Sequence, residues 1–263
     1  MTKRIAVLLA CAAVAVPLSI AGRAQAPASD QASGRAVIEQ SIAAHGGARL
    51  TAWRTLTVKG TVRMRDGISY NAAFTLRAAR PGRVRVDQDQ TADQGRLFFE
   101  YFLHDGVAWM RRNLVVSTYD AKRMQRWLDH ADGVAAYAGQ AARAEVKGDT
   151  SVVWPPDPEQ PAAAVPAARR AFRVALPSEG GAPIEVMIDA QSHYLIGEVA
   201  GTTTRLFADF KPFGGVVWPT RIVDITKGRQ GDNLTPYAYT SVVYDSPIEA
   251  WVFTEDKPAI AKH

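Results

Sequence analysis

Residues 55–87 read TLTVKGTVRMRDGISYNAAFTLRAARPGRVRVD, and this stretch decides the fold class. Leu56, Val58, Val62 and Met64 alternate with Thr57, Lys59, Thr61 and Arg63. That is the two-residue period of a strand with one buried face. Asp66-Gly67 is a hairpin signal, and Tyr70, Phe74 and Leu76 carry the alternation onto a second strand. Arg80-Pro81-Gly82 turns the chain again into Val84 and Val86. Short strands in sequence, joined by tight turns, predict an antiparallel meander.

The pattern extends in both directions. Upstream, Ser33 is placed to cap a helix through Ala44, with Val37, Ile38 and Ile42 on one stripe. Gly46-Gly47 ends it, and a short helical turn through Leu50 and Trp53 follows. Downstream, residues 97–103 form a strand apolar on both faces, and His104-Asp105-Gly106 turns into another at 107–111. Met124, Trp127, Leu128, Ala131 and Val134 recur at helical spacing, which predicts a helix over 120–138. Residues 147–168 hold Trp154-Pro155-Pro156, Pro158, Pro161 and Pro166 and read as a long proline-rich surface loop. Strands resume at 171–176, 184–189, 194–199, 203–210, 216–225 and 237–244, with Pro219 marking an edge or a bulge. Ten or eleven strands with two clear helices make a mainly β (α+β) domain, in one piece with an insertion.

The amino terminus carries an address. Lys3 and Arg4 precede an almost wholly apolar run over 5–20, and Ala24-Gln25-Ala26 offers a small-x-small cleavage site. Residues 1–26 read as a signal peptide. An uncleaved anchor fits less well, because the run meets Pro17 short of the roughly 20 residues needed to span a bilayer. Lipidation of Cys11 after Leu8-Leu9-Ala10 also fits less well, because apolar sequence continues beyond it. The expected organisation is then a disordered leader over 27–33, a folded domain over 34–256 and a flexible tail over 257–263.

Cleavage changes the composition. Of 31 Lys and Arg, Lys3, Arg4 and Arg23 leave with the signal, so 28 face 26 acids and net charge falls from +5 to +2. The mature chain is nearly neutral and gives no basic stripe for nucleic acid. Cys11 is the only cysteine and leaves too, which removes disulfides, a thiol nucleophile and cysteine metal ligands.

Motifs for chemistry are sparse. The chain has no Gly-x-Ser-x-Gly, His-Glu-x-x-His, Walker or dinucleotide glycine pattern. The histidines are 45, 104, 130, 193 and 263, none within four residues of another, and they read as cap, turn or surface residues. Asp87, Asp89 and Asp93 resemble a calcium loop only superficially, since the loop glycine is missing and Phe98 stands where the last ligand belongs. Asp189 and His193 suit a turn hydrogen bond. No catalytic residue, metal ligand or cofactor is expected.

The informative feature is an excess of rings. Phe98, Phe99, Tyr101 and Phe102 share one strand, so both its faces carry them, and Trp109, Trp127, Phe207, Phe210, Phe213, Trp218 and Trp251 add to the load. Two helices cannot cover one face of so many strands, which leaves apolar concave surface for a ligand.

Four segments resemble the LolA/LolB-like lipoprotein-carrier superfamily, in particular its divergent periplasmic outer-membrane lipoprotein-sorting relatives. They are Ala44-His45-Gly46-Gly47 with Leu50, Trp53 and Leu56; the strand entry at Arg80-Pro81-Gly82-Arg83-Val84-Arg85-Val86-Asp87; Phe207-Ala208-Asp209-Phe210 with Gly214-Gly215-Val216-Val217-Trp218-Pro219; and Asp245-Ser246-Pro247-Ile248 with Trp251 and Phe253. The resemblance implies a single curved antiparallel sheet, an open half-barrel, with an N-terminal helix and a mid-chain helix plugging the concave face. It also implies a non-catalytic, cofactor-free carrier of lipids or lipoprotein acyl chains, serving transport and outer-membrane biogenesis. Phe74, Leu76, Phe99, Tyr101, Trp109, Met124, Trp127, Leu128, Phe207 and Trp218 are the expected cavity or lid residues, and Arg83 and Arg85 the nearest candidates for a lid contact. The expected partners are a lipid or acylated lipoprotein and envelope proteins of the inner or outer membrane, with the protein itself a periplasmic monomer. Two alternatives stand beside this: a non-catalytic interaction or sensor domain binding a peptide or protein, and an uncharacterised hydrolase.

Overall fold

A computed structural model describes residues 33–66, 68–90, 98–157, 159, 164–177, 183–228 and 231–255. The expected signal peptide, nearly all of the leader and the tail lie outside them.

Helix α1 (Gly34–Ala44) starts where the sequence places it, with the Ser33 hydroxyl accepting from the Ala36 amide. It buries Val37 and Ile38 and ends at His45. A one-turn helix, α2 (Ala48–Ala52), follows and buries Leu50. The meander then runs through β1 (Thr55–Asp66), β2 (Ile68–Ala79), β3 (Arg83–Asp89), β4 (Phe98–His104), β5 (Val107–Arg112) and β6 (Val115–Thr118). Helix α3 (Ala121–Asp132) is capped by the Asp120 carboxylate and continues past Gly133 as a 3-10 helix, Gly133–Arg143. A second meander comprises β7 (Glu145–Val152), β8 (Arg169–Leu176), β9 (Ile184–Asp189), β10 (Leu195–Ala200), β11 (Thr203–Phe213), β12 (Val216–Gly228) and β13 (Gly231–Tyr244).

The described residues form one thirteen-stranded sheet in the order β6-β5-β4-β3-β2-β1-β13-β12-β11-β10-β9-β8-β7. Every pairing is antiparallel, and only β1 against β13 joins strands that are not consecutive. The two meanders therefore meet in the middle, while β6 and β7, adjacent in the chain, occupy opposite edges. The segment between them, α3 and the 3-10 helix, has to cross the sheet from edge to edge. At 1.5 and 2.0 Å per residue it reaches roughly 40 Å. Thirteen flat strands at about 4.8 Å spacing would be nearly 60 Å across. The sheet is drawn around the helices: α3 packs on β3, β4 and β5, α1 on β7, β8 and β9, and α1 and α3 both pack on the 3-10 helix. One core cluster runs from Val84 through Val58, Met124 and Val134 to Val174 and Val186. The expected half-barrel, open and plugged by two helical segments, is the observed fold.

Two expectations change in detail. The proline-rich stretch does not begin as a loop at 147, because residues 145–152 are strand β7, paired with β8. Apart from Val146 and Val152 its residues are polar or glycine, and its sides alternate only between exposed and half-buried, so it lacks the apolar period that marks a strand. Beyond it, the segment lies over the outer face: Arg63 pairs with Asp157 at 2.5 Å, and Arg221 stacks over Trp154 and donates to the Ala164 carbonyl. The other strand without sequence warning is β6, four exposed residues at an edge. Pro219 lies where β12 pairs with β11 but not with β13, the edge position its missing N–H requires.

Candidate functional site

The end of α1 is fixed by backbone geometry. Gly46 has φ 121°, and a Cβ there would lie 2.6 Å from the Gly215 carbonyl oxygen, so the helix terminus sits directly on the β11–β12 hairpin. His45, the last residue of that turn, is buried beneath it. Its Nδ1 lies 2.7 Å from the Val217 carbonyl, and its Nε2 lies 2.9 Å from the Leu195 amide. Burial holds this imidazole below its ordinary pKa, partly opposed by the Val217 hydrogen bond.

His45 opens one end of a cavity between the helical layer and β10–β13. Leu50, Val134, Leu195, Phe207, Ile222 and Trp218 supply apolar wall, and the volume is about 40 Å³. On this measure a water takes about 10–15 Å³, so the closed cavity has room for roughly three.

Its far wall is polar. Arg205 on β11 makes a two-pronged ion pair with Asp224, its cross-strand neighbour on β12, at 2.5 and 2.6 Å. Burial alone would lower the guanidinium pKa, but the Asp224 charge and hydrogen bonds outweigh it and the shift is upward. The remaining Nη1 lies against the ring of His130 on α3. His130 is held well below its ordinary pKa, first by burial and then by the Arg205 charge, and is neutral. Glu198, opposite Arg205 on β10, is hydrogen-bonded to Tyr137 of the 3-10 helix. Burial raises the Glu198 pKa, against the pull of Arg205. Burial also raises Asp129, and it pushes Tyr239 up to about 12. The Trp218 ring lines the cavity, and its indole N–H has no partner among the described residues.

The residues singled out from sequence divide into groups. Phe207 and Trp218 line the cavity. Phe74 and Leu76 are buried in the adjoining core, where Phe74 meets Tyr237 and Tyr239 edge-on at 6.1 and 5.4 Å. Met124 and Leu128 form the buried side of α3, and Trp127 packs between His130 and Tyr237. Phe99 and Tyr101 stack on each other toward the β6 edge, with Arg112 over Phe99. Trp109, Arg83 and Arg85 are placed elsewhere, on the reverse face of β3–β5. There Trp109 stacks on Phe102 at 5.0 Å and donates to the Glu255 carbonyl. Arg85 pairs with Asp87, Glu100 and Glu255, and Arg83 lies over Phe253 of the closing 3-10 turn, Ala250–Phe253. They fasten the C-terminal segment and do not reach α3.

Glu198, Arg205 and Asp224 are not among the residues expected from sequence, where His130 reads as an ordinary surface or turn residue. A signal was present at two of them: Glu198 and Asp224 interrupt apolar strand runs, as in Ile222-Val223-Asp224-Ile225, whereas Arg205 follows Thr202-Thr203-Thr204. At the other candidate positions, Asp87 is occupied by Arg77 and Arg85, while Asp93 lies outside the described residues. Asp189 caps its turn by accepting from the Gln191 and Ser192 amides and the Ser192 hydroxyl. His193 joins the turn through its backbone, its amide donating to the Asp189 carbonyl at 3.0 Å, while its ring Nδ1 has no hydrogen-bond partner among the described residues. No group of three metal-ligating side chains occurs among the described residues.

No family model matches the chain, and no curated protein matches it. Solved structures do. A DUF1329 family protein from Desulfovibrio piger superposes with a TM-score of 0.54 at 10% identity, covering 83% of this chain and 96% of the other. An outer membrane lipoprotein-sorting protein domain from Vibrio parahaemolyticus gives 0.51 at 12% identity, covering 82% and 95%. A LolA superfamily protein from Nitrosomonas europaea gives 0.51 at 12% identity, covering 85% and 98%. The chain has a LolA-like fold.

Proposed function

We propose that this protein is a periplasmic, non-catalytic carrier or binder of lipids or lipoprotein acyl chains, held in the cavity under α3. The observation that carries the reading is the cavity itself, an apolar-walled space between a curled sheet and a helical cover. The likeness to a lipoprotein-sorting domain supports it. Each buried methylene of an acyl chain is worth about 0.8 kcal/mol, so a dry apolar surface suffices for useful affinity. The closed volume is too small for a chain, so loading requires the helical cover to move outward. Met124, Trp127 and Leu128 are then the side chains that lift from the sheet. Residues 1–26 act as the export signal and 34–256 as the carrier domain, a monomer without cofactor that exchanges cargo with envelope proteins.

Native mass spectrometry and solvent extraction of the purified protein test this directly. The expected result is a co-purifying lipid or, after delipidation, saturable binding of a hydrophobic dye. A lipid-free protein that also fails to bind the dye overturns it.

A second reading draws on the β6 edge, where Leu114 is 94% and Val115 70% exposed. An exposed apolar edge strand can accept a strand from a peptide or protein partner. One stoichiometric protein partner in crosslinked complexes, with no lipid, would favour that reading.

A further inference from the structure

We infer that the polar wall of the cavity is a headgroup subsite, and that it takes an acyl ligand with an uncharged, hydrogen-bonding head such as a glycerol ester or an amide. The inference rests on the lipid-binding reading above and adds the class of ligand.

A surface built for hydrocarbon alone has no use for buried polar groups, which cost free energy when dehydrated. Here His130, Tyr137, Glu198 and Arg205 converge on one small space from α3, the 3-10 helix, β10 and β11. Their charges are already settled. Both carboxylate oxygens of Asp224 engage Arg205, so the guanidinium has no surplus charge with which to recruit an anion. An anionic head would also meet Glu198 and Asp129. A cationic head would find Asp224 already held by Arg205 and Glu198 by Tyr137.

What the site leaves open is hydrogen bonding. The Trp218 indole N–H is a buried donor without a partner among the described residues. A carbonyl or hydroxyl oxygen would satisfy it at no charge cost. The His130 ring and the Tyr137–Glu198 pair supply further donors and acceptors in the wall of the same cavity. Space for roughly three waters suits a compact head of a few polar atoms, with the chain running under the lifted helices.

The test uses the delipidated mature chain and three probes that share one saturated sixteen-carbon chain: 1-palmitoylglycerol, palmitate and hexadecyltrimethylammonium. Each competes with a bound hydrophobic dye at neutral pH. Palmitoylglycerol should bind about tenfold more tightly than either charged probe, the difference made by about 1.4 kcal/mol. Trp218→Phe keeps an aromatic ring at this position and removes the N–H. It should weaken palmitoylglycerol about fivefold, a typical hydrogen bond's worth, and leave the charged probes unchanged. Tyr137→Phe should narrow the same preference, and serves if the tryptophan variant does not fold. Ratios between probes within one variant do not depend on the fraction folded. Equal binding of all three probes, or a Trp218→Phe variant that weakens all of them alike, overturns the subsite and leaves the carrier reading standing. Failure of the dye and all three probes to bind overturns both.

Discussion

The Nε2 of His45 lies 2.9 Å from the backbone nitrogen of Leu195 and accepts a hydrogen bond from its N–H. An amide nitrogen can only donate, so Nε2 must be the bare nitrogen and the ring proton sits on Nδ1, shared with the Val217 carbonyl. One neutral imidazole thereby ties α1 to β10 and β12. Protonation would set an N–H against an N–H.

The pH dependence follows from that geometry. His45 has a folded-state pKa below its unfolded value of about 6.5, and so has buried His130. The unfolded chain therefore binds more protons below that pH. The stabilisation is complete above about pH 6.5 and is lost progressively as pH falls beneath it. Urea titrations at a series of pH values should show the midpoint declining from about pH 6.5 downward. In His45→Gln the decline should be shallower, because one of the two histidines no longer contributes.

Arg205 and Asp224 give a second expectation. Their side chains are 12 and 15% exposed, and removing one partner leaves the other charge buried. Asp224→Ala should cost about 3–5 kcal/mol. The double change Arg205→Met with Asp224→Leu should cost less than Asp224→Ala alone, since neither charge of the pair is left buried without the other. Equilibrium denaturation of both variants checks the order.

Two glycines should respond oppositely to alanine. At Gly46 the positive φ and the Gly215 carbonyl both oppose a Cβ, so Gly46→Ala should destabilise by about 1–3 kcal/mol. At Gly139, on the 3-10 helix, a Cβ meets nothing within 4 Å. Gly139→Ala should be neutral or stabilise by up to about 1 kcal/mol through the unfolded state. Thermal melts of the pair read this directly.

Met124 anchors α3 and is fully buried in the core cluster. Met124→Ala should cost about 2–5 kcal/mol in stability. If α3 is the moving cover, the same substitution should also speed dye uptake, as stopped-flow mixing would show. A control at exposed Lys122, Lys122→Ala, should change neither by much.

Most of the architecture could be read locally. Alternation at Leu56, Val58 and Val62, the Ser33 cap, the helical spacing from Met124 to Val134, and the diglycine after His45 are short-range signals, and the elements they mark are present. The strands without such signals, β6 and β7, are the two sheet edges. An edge strand buries little, so selection leaves no apolar period on it. The ring-rich residues were legible as buried, but not as to which side of the sheet they bury. Phe102 and Trp109 alternate as regularly as Phe99 and Tyr101, yet face the C-terminal turn and not the helices.

The sequence by itself determined a mainly β meander with two helical segments, because period, caps and turns act over a few residues. Only the tertiary structure decided that β1 pairs with β13 and that α3 and the 3-10 helix together cross from edge to edge. It also decided that Glu198, Arg205 and Asp224, each on a different strand, meet under His130. Burial and charge pairing depend on which strands become neighbours, and strand neighbourhood is settled by packing across the whole chain.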